Sequence, residues 1–497
     1  MTDSNSPPAL TPERRWTHRL RWPALILLTF TAFGYGFVCA SSQLPPYTQV
    51  RKAVLWTKQH PLVRNAYYTI KEKRGGRTGR WGAAKATPEA EGMSAEQQES
   101  VAALLAIGYL DGYEQATENN GVTAYDSTKA QDGVNLYTSG DAEAAYLIDM
   151  KGTVLHTWEH DFRTAFPDHP EPDGQPHLEH WRRAFVYPNG DLLAIYEGFG
   201  LLKVDKDSNL LWANPLRFHH DLWLDDATGD IWTLSREVKV LERIHPYEPI
   251  FEDYVTVLGP DGEVKRHISL LTALEESPFA SFLDKRPSYG DLFHSNTIEV
   301  FDGRHADRSP LFKKGNVLVS LLKLNVIAIL DPESEEIVWA LAGQWVKQHQ
   351  PTLLENGNML ILDNRGHHGM SKVIEFDPFT QQTVWGYFGD EVNNFYTKSC
   401  GTAERMDNGN TLITESDSGR AFEVTANGDI VWAFYNPARA GENNDLVATL
   451  FEVVRLDKNY VADWVDGIER TPEPSEPTEQ AEGESDTPEP PAAPSTD

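Results

Sequence analysis

The sequence predicts an all-β fold, a six-bladed β-propeller that spans residues 121–468. A repeated turn carries this prediction: short apolar runs flank an Asn-Gly pair, for example at residues 356–357 and 408–409. Such turns favour hairpins, because Asn and Gly tolerate a positive φ. Second hairpins end in tryptophan, at Trp158, Trp212, Trp339, Trp385 and Trp432. Units of about 40 to 50 residues with four short strands each are typical of propeller blades, and about six of them fit the chain.

The tryptophans and the turn aspartates of these repeats are interpreted as structural residues. Propeller repeats need polar turns and large side chains that pack between blades. The ring must also close, because an unclosed ring leaves two strand edges unpaired. We therefore predict that the last apolar strand, residues 450–455, joins the sheet that contains residues 145–158.

Composition limits the possible partners of the chain. Its 497 residues include 74 acidic and 44 basic side chains, with a formal net charge of −30. Nucleic acid is excluded as a partner, because binding a polyanion requires clusters of Lys and Arg. The two cysteines are Cys39 and Cys400, and Cys39 lies in or beside an apolar run. The sequence therefore predicts no disulfide within the globular domain.

The N-terminal region has the pattern of a membrane anchor. Residues 1–21 carry four arginines and are predicted to be cytoplasmic, and residues 22–40 form an uncharged, mostly apolar run. A run of that length can span a bilayer, and arginines before it favour a cytoplasmic N-terminus. The propeller is then expected to lie outside the cytoplasm, either in the periplasm or in the extracellular space. A signal peptide cleaved near residues 38–40 is the alternative.

Two further segments flank the propeller. Residues 41–120 are predicted to be a juxtamembrane linker, in which a basic and aromatic stretch lies along anionic headgroups or is simply solvated. Ser94 begins a capping-box-like sequence that predicts a short amphipathic helix. Residues 469–497 are rich in Pro, Glu, Ser and Thr, so this tail is predicted to be disordered.

Polar residues recur where the inner strands are expected to begin, around the axial channel. Aligning the repeats on their turns gives Arg182, His219, His220, His294, His349 and Cys400 at these positions. A hairpin also brings Arg365 to the sheet edge that carries His349, and His368 follows closely. Because several imidazoles and a guanidinium converging on one cavity suit an oxyanion, the predicted site comprises His220, His294, His349, Arg365 and His368.

Several motifs resemble those of the arylsulfotransferase family. They are Asp-Leu-Phe-His-Ser-Asn-Thr at residues 291–297, Gln-His at 348–349, Asp-Asn-Arg-Gly at 363–366, Gly-Val-Thr-Ala-Tyr-Asp at 121–126 and Leu-Ile-Asp at 147–149. The resemblance covers residues 121–457. Members are six-bladed propellers that move a sulfuryl group from one phenol to another without a nucleotide donor. The resemblance implies that His294, His349 and Arg365 bind and polarise the sulfuryl oxygens.

The chain departs from the family at one position. The family has a nucleophilic histidine on the closing strand, where this sequence has Thr449 or Leu450. Without that histidine, His220 or His368 would attack sulfur, or the acceptor would attack directly.

Two functions from different classes follow. One is a membrane-anchored sulfotransferase that acts on aryl sulfates and phenols, and the other is a propeller that binds a small anion, a glycan or a partner protein without catalysis. A quinone-cofactor dehydrogenase is disfavoured, because the sequence has no adjacent cysteine pair. Neither metal-spaced Cys/His sets nor a phosphate-binding Gly-Lys-Ser/Thr loop occur, so no metal and no cofactor are predicted.

Overall fold

The computed structural model describes residues 113–169, 179–367, 370–390, 393–441 and 443–470. Six antiparallel sheets form the blades of a propeller, as the sequence predicts. Blade 1 contains β3 (Val134–Ser139), β4 (Ala144–Ile148), β5 (Val154–Glu159) and β29 (Leu450–Leu456). Blade 2 contains β6 (Arg183–Val186), β7 (Leu192–Tyr196), β8 (Gly200–Val204) and β9 (Leu210–Asn214). Blade 3 contains β10 (Phe218–Leu224), β11 (Ile231–Lys239), β12 (Ile250–Leu258), β13 (Val264–Ser269) and the short parallel β14 (Gly290–Asp291).

The remaining blades follow in chain order. Blade 4 contains β15 (Ser295–Val300), β16 (Val317–Leu321), β17 (Val326–Asp331) and β18 (Glu336–Leu341). Blade 5 contains β19 (Gln348–Leu353), β20 (Met359–His367), β21 (Met370–Phe376) and β22 (Thr383–Tyr387). Blade 6 contains β23 (Thr402–Arg405), β24 (Thr411–Glu415), β25 (Arg420–Val424), β26 (Ile430–Tyr435) and β2 (Gly121–Tyr125).

Helices in the described part of the chain are short. The α-helices are α1 (Phe162–Ala165), α2 (Leu270–Glu275) and α3 (Lys458–Val461), and the 3₁₀-helices are Ala280–Lys285, Pro310–Phe312 and Leu322–Leu324. None of the helices in this part is long and apolar enough to cross a membrane. In a small three-stranded sheet, β28 (Leu446–Ala448) lies between β1 (Tyr113–Gln115), in the predicted linker, and β27 (Arg439–Ala440).

The predicted Asn-Gly turns join the first two strands of their blades. Gly190, Gly357 and Gly409 occupy these turns with φ of 87°, 78° and 85°. A side chain at such φ values is strained, so glycine stabilises the turn that sets each blade's register.

The ring closes at both chain ends. Strand β29 is the innermost strand of blade 1 and runs antiparallel to β3, with Val453 opposite Tyr137. This pairing confirms the predicted closure by residues 450–455. Strand β2 also adds to the outer edge of blade 6, with Val122 opposite Phe434, which the sequence analysis did not predict. Each chain end therefore completes a blade built mainly from the other end.

Tryptophans of the outer strands join neighbouring blades. Their indole N–H groups donate to backbone oxygens in the next blade: Trp158 to Gly190, Trp212 to Pro260, Trp385 to Ala426 and Trp432 to Met150, at 2.8–3.1 Å. These hydrogen bonds confirm the structural interpretation for four of the five repeated tryptophans. The apolar core also lies between blades, for example where Leu362 of blade 5 packs with Ile413 and Phe422 of blade 6.

Several predictions concern residues outside the described part of the chain. These are the cytoplasmic segment 1–21, the membrane anchor 22–40, most of the linker 41–120 with its helix near Ser94, His368, and residues 471–497 of the tail.

Candidate functional site

The inner strands begin with irregular backbone at one end of the channel. Strand β10 is bulged between His219 and Leu222, and β19 between His349 and Thr352. His220, His294 and Cys400 have φ of 58°, 51° and 53°, a left-handed conformation uncommon for residues other than glycine. Bulges and such residues are concentrated beside active sites, where they redirect side chains. The backbone therefore indicates a functional site at this end of the channel.

A cavity of about 180 Å³ lies at these strand starts. Its lining comprises Arg182, Glu197, His220, His294, Leu322, Lys347, His349, Arg365, Lys398, Ser399 and Cys400. Four of these side chains are cationic and one is a carboxylate, although the whole chain carries a formal charge of −30. The cavity therefore presents local positive charge, which favours an anionic ligand.

The structure brings four of the five predicted site residues to this cavity. His220 and His349 are buried, His294 is mostly buried, and Arg365 is exposed at the rim. His368 lies outside the described residues. Thr449 and Leu450 are buried and do not line the cavity, and Leu450 packs in the apolar cluster between blades 6 and 1. As in the sequence, no histidine occupies this position of the closing strand.

His349 is held in one orientation by Asn364. The side-chain oxygen of Asn364 lies 2.7 Å from His349 Nδ1, while its NH₂ group donates to the backbone oxygens of Thr397 and Cys400 at 2.9 and 2.7 Å. This network assigns the proton to Nδ1 and leaves Nε2 as the acceptor of the neutral ring. Burial lowers the pKa of His349 to about 3, with Arg182 and His294 adding to the shift. His349 is therefore neutral at physiological pH.

His294 has a carboxylate partner. Its Nδ1 lies 2.7 Å from Asp291 Oδ2, and Lys323 Nζ lies 3.8 Å from the same oxygen. Burial opposes ionisation of Asp291, but the neighbouring His294 outweighs it and the pKa of Asp291 falls to about 2. The ionised carboxylate orients the His294 ring through this contact.

The third histidine of the cavity lies in a buried cluster. His220 Nδ1 is 3.2 Å from Glu197 Oε1 and 3.0 Å from His219 Nδ1. The His220 ring centroid is 4.7 Å from that of His294. Burial lowers the pKa of both His219 and His220 well below the usual range, so both rings are neutral. Arg182 Nε lies 3.8 Å from the other oxygen of Glu197.

Cys400 also lines the cavity, and the sequence analysis placed it near the channel. Burial raises the pKa of its thiol. Because the thiolate is the nucleophilic form, Cys400 is a poor nucleophile at neutral pH.

Sequence reasoning missed Glu197, Lys347, Lys398 and Asn364. Glu197 directly follows β7, the second strand of its blade, whereas the repeat alignment considered only the starts of the inner strands. Lys347 lies two residues before His349, and Asn364 lies next to Arg365. Their closeness in sequence to predicted site residues could have identified them. Lys398 lies in a loop whose approach to the cavity depends on the tertiary structure.

Comparison with protein families supplies the deciding observation. The family model described as "Arylsulfotransferase (ASST)" matches residues 187–437, just over half of the chain. The chain belongs to the arylsulfotransferase family. The matched segment of this arylsulfotransferase-family propeller contains His220, His294, His349 and Arg365, whereas the closing strand lies beyond it.

Other comparisons concern the fold of this family member. A search of curated proteins finds no match. Among solved structures, a protein of unknown function from Bacteroides caccae is 13% identical with a TM-score of 0.42, and the match covers 65% of this chain and 98% of that one. A streptogramin B lyase is 13% identical with a TM-score of 0.37, over 69% and 97% of the two chains. The Cps50 (Swd1) propeller of Myceliophteria thermophila is 12% identical with a TM-score of 0.37, over 69% and 99%. At such low TM-scores these likenesses carry no argument about function.

Proposed function

We propose that this arylsulfotransferase-family propeller transfers a sulfuryl group from an aryl sulfate to a phenol at the cavity. The observation that carries the proposal is the excess of cationic over acidic side chains around a cavity of about 180 Å³ in a strongly acidic chain. An aryl sulfate is an anion with three equivalent oxygens, and fixed cations in a water-poor cavity bind such a group strongly.

Arg365 and Lys347 are the groups that bind the sulfuryl oxygens in this proposal. The guanidinium of Arg365 donates two parallel hydrogen bonds to two oxygens, and the Lys347 ammonium acts as a point charge. During transfer the leaving phenolate gains negative charge, so these cations stabilise the transition state more than the bound substrate.

In this proposal His349 is the nucleophile and His294 is the general acid and base. His349 Nε2 attacks sulfur with its lone pair and forms the S–N bond, and the S–O bond to the donor breaks. The leaving aryl oxygen takes that electron pair and accepts a proton from His294, whose Nδ1–H is held by Asp291. The acceptor phenol then returns its proton to His294 and attacks sulfur, the S–N bond breaks, and His349 is regenerated. In this proposal burial keeps the His349 ring neutral, and the carboxylate of Asp291 orients the His294 ring.

A binding module without catalysis is the second candidate. The observation that favours it is the buried Leu450, next to Thr449 on the closing strand, where the family has a nucleophilic histidine. Under this hypothesis the cavity binds an aryl sulfate or a similar anion and releases it unchanged.

A chromogenic donor separates the two candidates. The full-length protein is mixed with 4-nitrophenyl sulfate and a panel of phenols, and release of 4-nitrophenolate is recorded. We expect release that depends on the phenol, with ping-pong kinetics, and a loss of about 10²-fold or more in kcat for His349→Ala and His294→Ala. His267→Ala, which changes a half-buried histidine on β13 away from the cavity, is the control and should keep its activity.

The outcomes of this assay are distinct. Calorimetric binding of 4-nitrophenyl sulfate without any release of nitrophenolate would support the binding module and refute catalysis. If the protein neither binds 4-nitrophenyl sulfate nor releases nitrophenolate with any phenol, both candidates are refuted.

We further propose that the propeller is tethered to a membrane by residues 22–40 and lies outside the cytoplasm. The uncharged apolar run and the arginines that precede it support this proposal.

A further inference from the structure

Three buried side chains converge at the base of the cavity with the spacing of metal ligands. Glu197, His219 and His220 each offer a donor atom, and these atoms lie within 4.8 Å of one another. His219 Nδ1 and His220 Nδ1 are 3.0 Å apart, and His220 Nδ1 and Glu197 Oε1 are 3.2 Å apart. Tetrahedral zinc with bonds of about 2.0–2.1 Å holds its ligands about 3.3 Å apart. Two of the three spacings are therefore close to those of a coordination shell.

The backbone makes this convergence possible. Neighbouring residues of a regular strand point to opposite faces of the sheet, so His219 and His220 would normally diverge. Here β10 is bulged between His219 and Leu222, and His220 has a φ of 58°. A left-handed backbone conformation at a residue other than glycine destabilises the folded state by about 1–3 kcal/mol. Such a conformation persists where the surrounding structure requires it. The strain places two adjacent imidazoles on one side.

We propose that Glu197, His219 and His220 bind one divalent first-row transition-metal ion, for which Zn²⁺ is the probe. Two histidines and a glutamate form a ligand set found in catalytic zinc sites, and neutral imidazole with carboxylate suits zinc among biological metals. This inference goes beyond the proposed function, in which no step uses a metal.

Unsatisfied atoms in the cluster support the assignment. Within the described residues, Glu197 Oε1 and His219 Nε2 are buried and lack a hydrogen-bond partner, although His220 Nδ1 lies close to the former. Buried polar atoms normally have partners, because leaving one unsatisfied costs about 1–3 kcal/mol. A metal bound to Oε1 and to the two Nδ1 atoms satisfies the carboxylate oxygen and takes the place of the single hydrogen bond between the two imidazoles.

A second carboxylate lies behind the cluster. Asp253 Oδ1 is 4.0 Å from His219 Nε2, the ring nitrogen that points away from the proposed metal. The other oxygen of Asp253 accepts hydrogen bonds from the backbone N–H and the hydroxyl of Ser295, at 2.9 and 2.8 Å. Histidines that bind metals commonly have a carboxylate at the second nitrogen, which orients the ring. Asp253 lies near that position, at a separation longer than a hydrogen bond.

The remaining coordination position of the proposed metal is expected to face the cavity. His220 and Glu197 both line the cavity, whereas His219 is fully buried beneath it. Arg182 lies beside Oε2 of Glu197 and leaves Oε1 for the metal. Three protein ligands with one open position are typical of a metal that binds a water or a substrate oxygen rather than a purely structural one.

Metal stoichiometry tests the proposal without reference to sulfuryl transfer. The full-length protein is purified without a polyhistidine tag, equilibrated with Zn²⁺ or Co²⁺, and analysed by mass spectrometry of elements and by visible absorption of Co²⁺. We expect one equivalent of metal, the absorption of a four-coordinate Co²⁺ site, and a Zn²⁺-dependent increase in Tm. Glu197→Gln keeps the side-chain volume and should weaken binding by about tenfold or more, and His219→Ala should abolish it.

The matched control is His349→Ala, which removes a buried histidine of the same cavity that is not in the ligand set, and it should retain one equivalent. Circular dichroism establishes that each variant is folded, and Glu197→Gln provides the test if His219→Ala does not fold. Wild-type protein that binds less than one equivalent of both metals, or folded Glu197→Gln with unchanged metal affinity, would overturn the proposal.

Discussion

Arg365 lies at the rim of the cavity, where its planar guanidinium is available to an anion. Arg365→Lys keeps the charge but cannot donate two parallel hydrogen bonds. We therefore expect the binding free energy of an aryl sulfate to weaken by about 1–3 kcal/mol. Isothermal calorimetry with 4-nitrophenyl sulfate measures the change. Arg243→Lys is the control, because Arg243 pairs with Glu275 outside the cavity. Equal affinities for wild type and Arg365→Lys would remove Arg365 from the site.

Asn364 is a positioning residue in the proposed mechanism, and the pH profile reports its role. His349 has a pKa of about 3, so the acid limb of kcat/KM is expected at low pH in the wild type. Asn364→Asp places a carboxylate 2.7 Å from Nδ1, stabilises the protonated ring and raises the pKa of His349. The acid limb should therefore move to higher pH.

Asn316→Asp is the control for this experiment. Asn316 is equally buried and donates to the backbone oxygen of Leu311, so its replacement also removes a donor, but at a distance from the cavity. It should lower stability without moving the pH profile. An unshifted acid limb in Asn364→Asp would contradict the role assigned to Asn364.

At the scale of secondary-structure elements, tryptophans on the outer strands join one blade to the next. The indole of Trp158 on β5 is fully buried and donates to the backbone oxygen of Gly190 in blade 2 at 2.9 Å. Trp158→Phe removes the donor, leaves that oxygen unpaired and creates a small cavity, so we expect a loss of about 1–3 kcal/mol in the free energy of unfolding.

Urea unfolding followed by circular dichroism measures this loss. Trp212→Phe serves as the comparison, because Trp212 makes the same contact with Pro260 but is partly exposed. We expect Trp212→Phe to lower the free energy of unfolding by less than Trp158→Phe does. An equal or larger cost would mean that burial does not determine the strength of these contacts.

At the scale of the whole molecule, a carboxyl group on the innermost strand of blade 4 makes stability depend on pH. Burial raises the pKa of Glu299 on β15 to about 8, against about 4.3 in an unfolded chain. Between these values the folded state binds more protons than the unfolded state, so the contribution of Glu299 to stability falls as pH rises.

Glu299→Gln cannot ionise and should therefore remove this contribution. We expect its Tm, relative to that of the wild type, to be higher at pH 8 than at pH 5. Scanning calorimetry at the two pH values measures the difference. Glu263→Gln, at an exposed position, should show no such difference, and a Tm offset for Glu299→Gln that is the same at both pH values would contradict the prediction.

The topology of the whole chain is a prediction from the arginines before residues 22–40. A cysteine introduced at the exposed Asp207 should react in intact cells with a maleimide that cannot cross the membrane. The unsubstituted protein, in which Cys400 is buried, gives the background. Labelling that occurs only after lysis would place the propeller in the cytoplasm and refute the proposal.

Local patterns explain how much of the fold was predictable. The Asn-Gly turns and the spacing of the tryptophans specify strands and hairpins within a blade, because turn chemistry and alternation act over a few residues. The need to pair both edges of the ring predicted that the last apolar strand, residues 450–455, closes it. The addition of β2 to blade 6 was missed, because Gly121–Tyr125 carries no repeat signal of its own.

The sequence by itself determined the blade pattern, the closing strand and the candidates His220, His294, His349 and Arg365, because these follow from residue types at repeated positions. Only the tertiary structure decided that Glu197, Lys347 and Asn364 belong to the site and that His219 lies against His220. Contacts between blades depend on the curvature of the ring, and a bulge changes which face of the sheet a side chain occupies. Neither the curvature of a ring nor the position of a bulge can be read from residue spacing, so the chemical environment of each histidine emerges only in the folded chain.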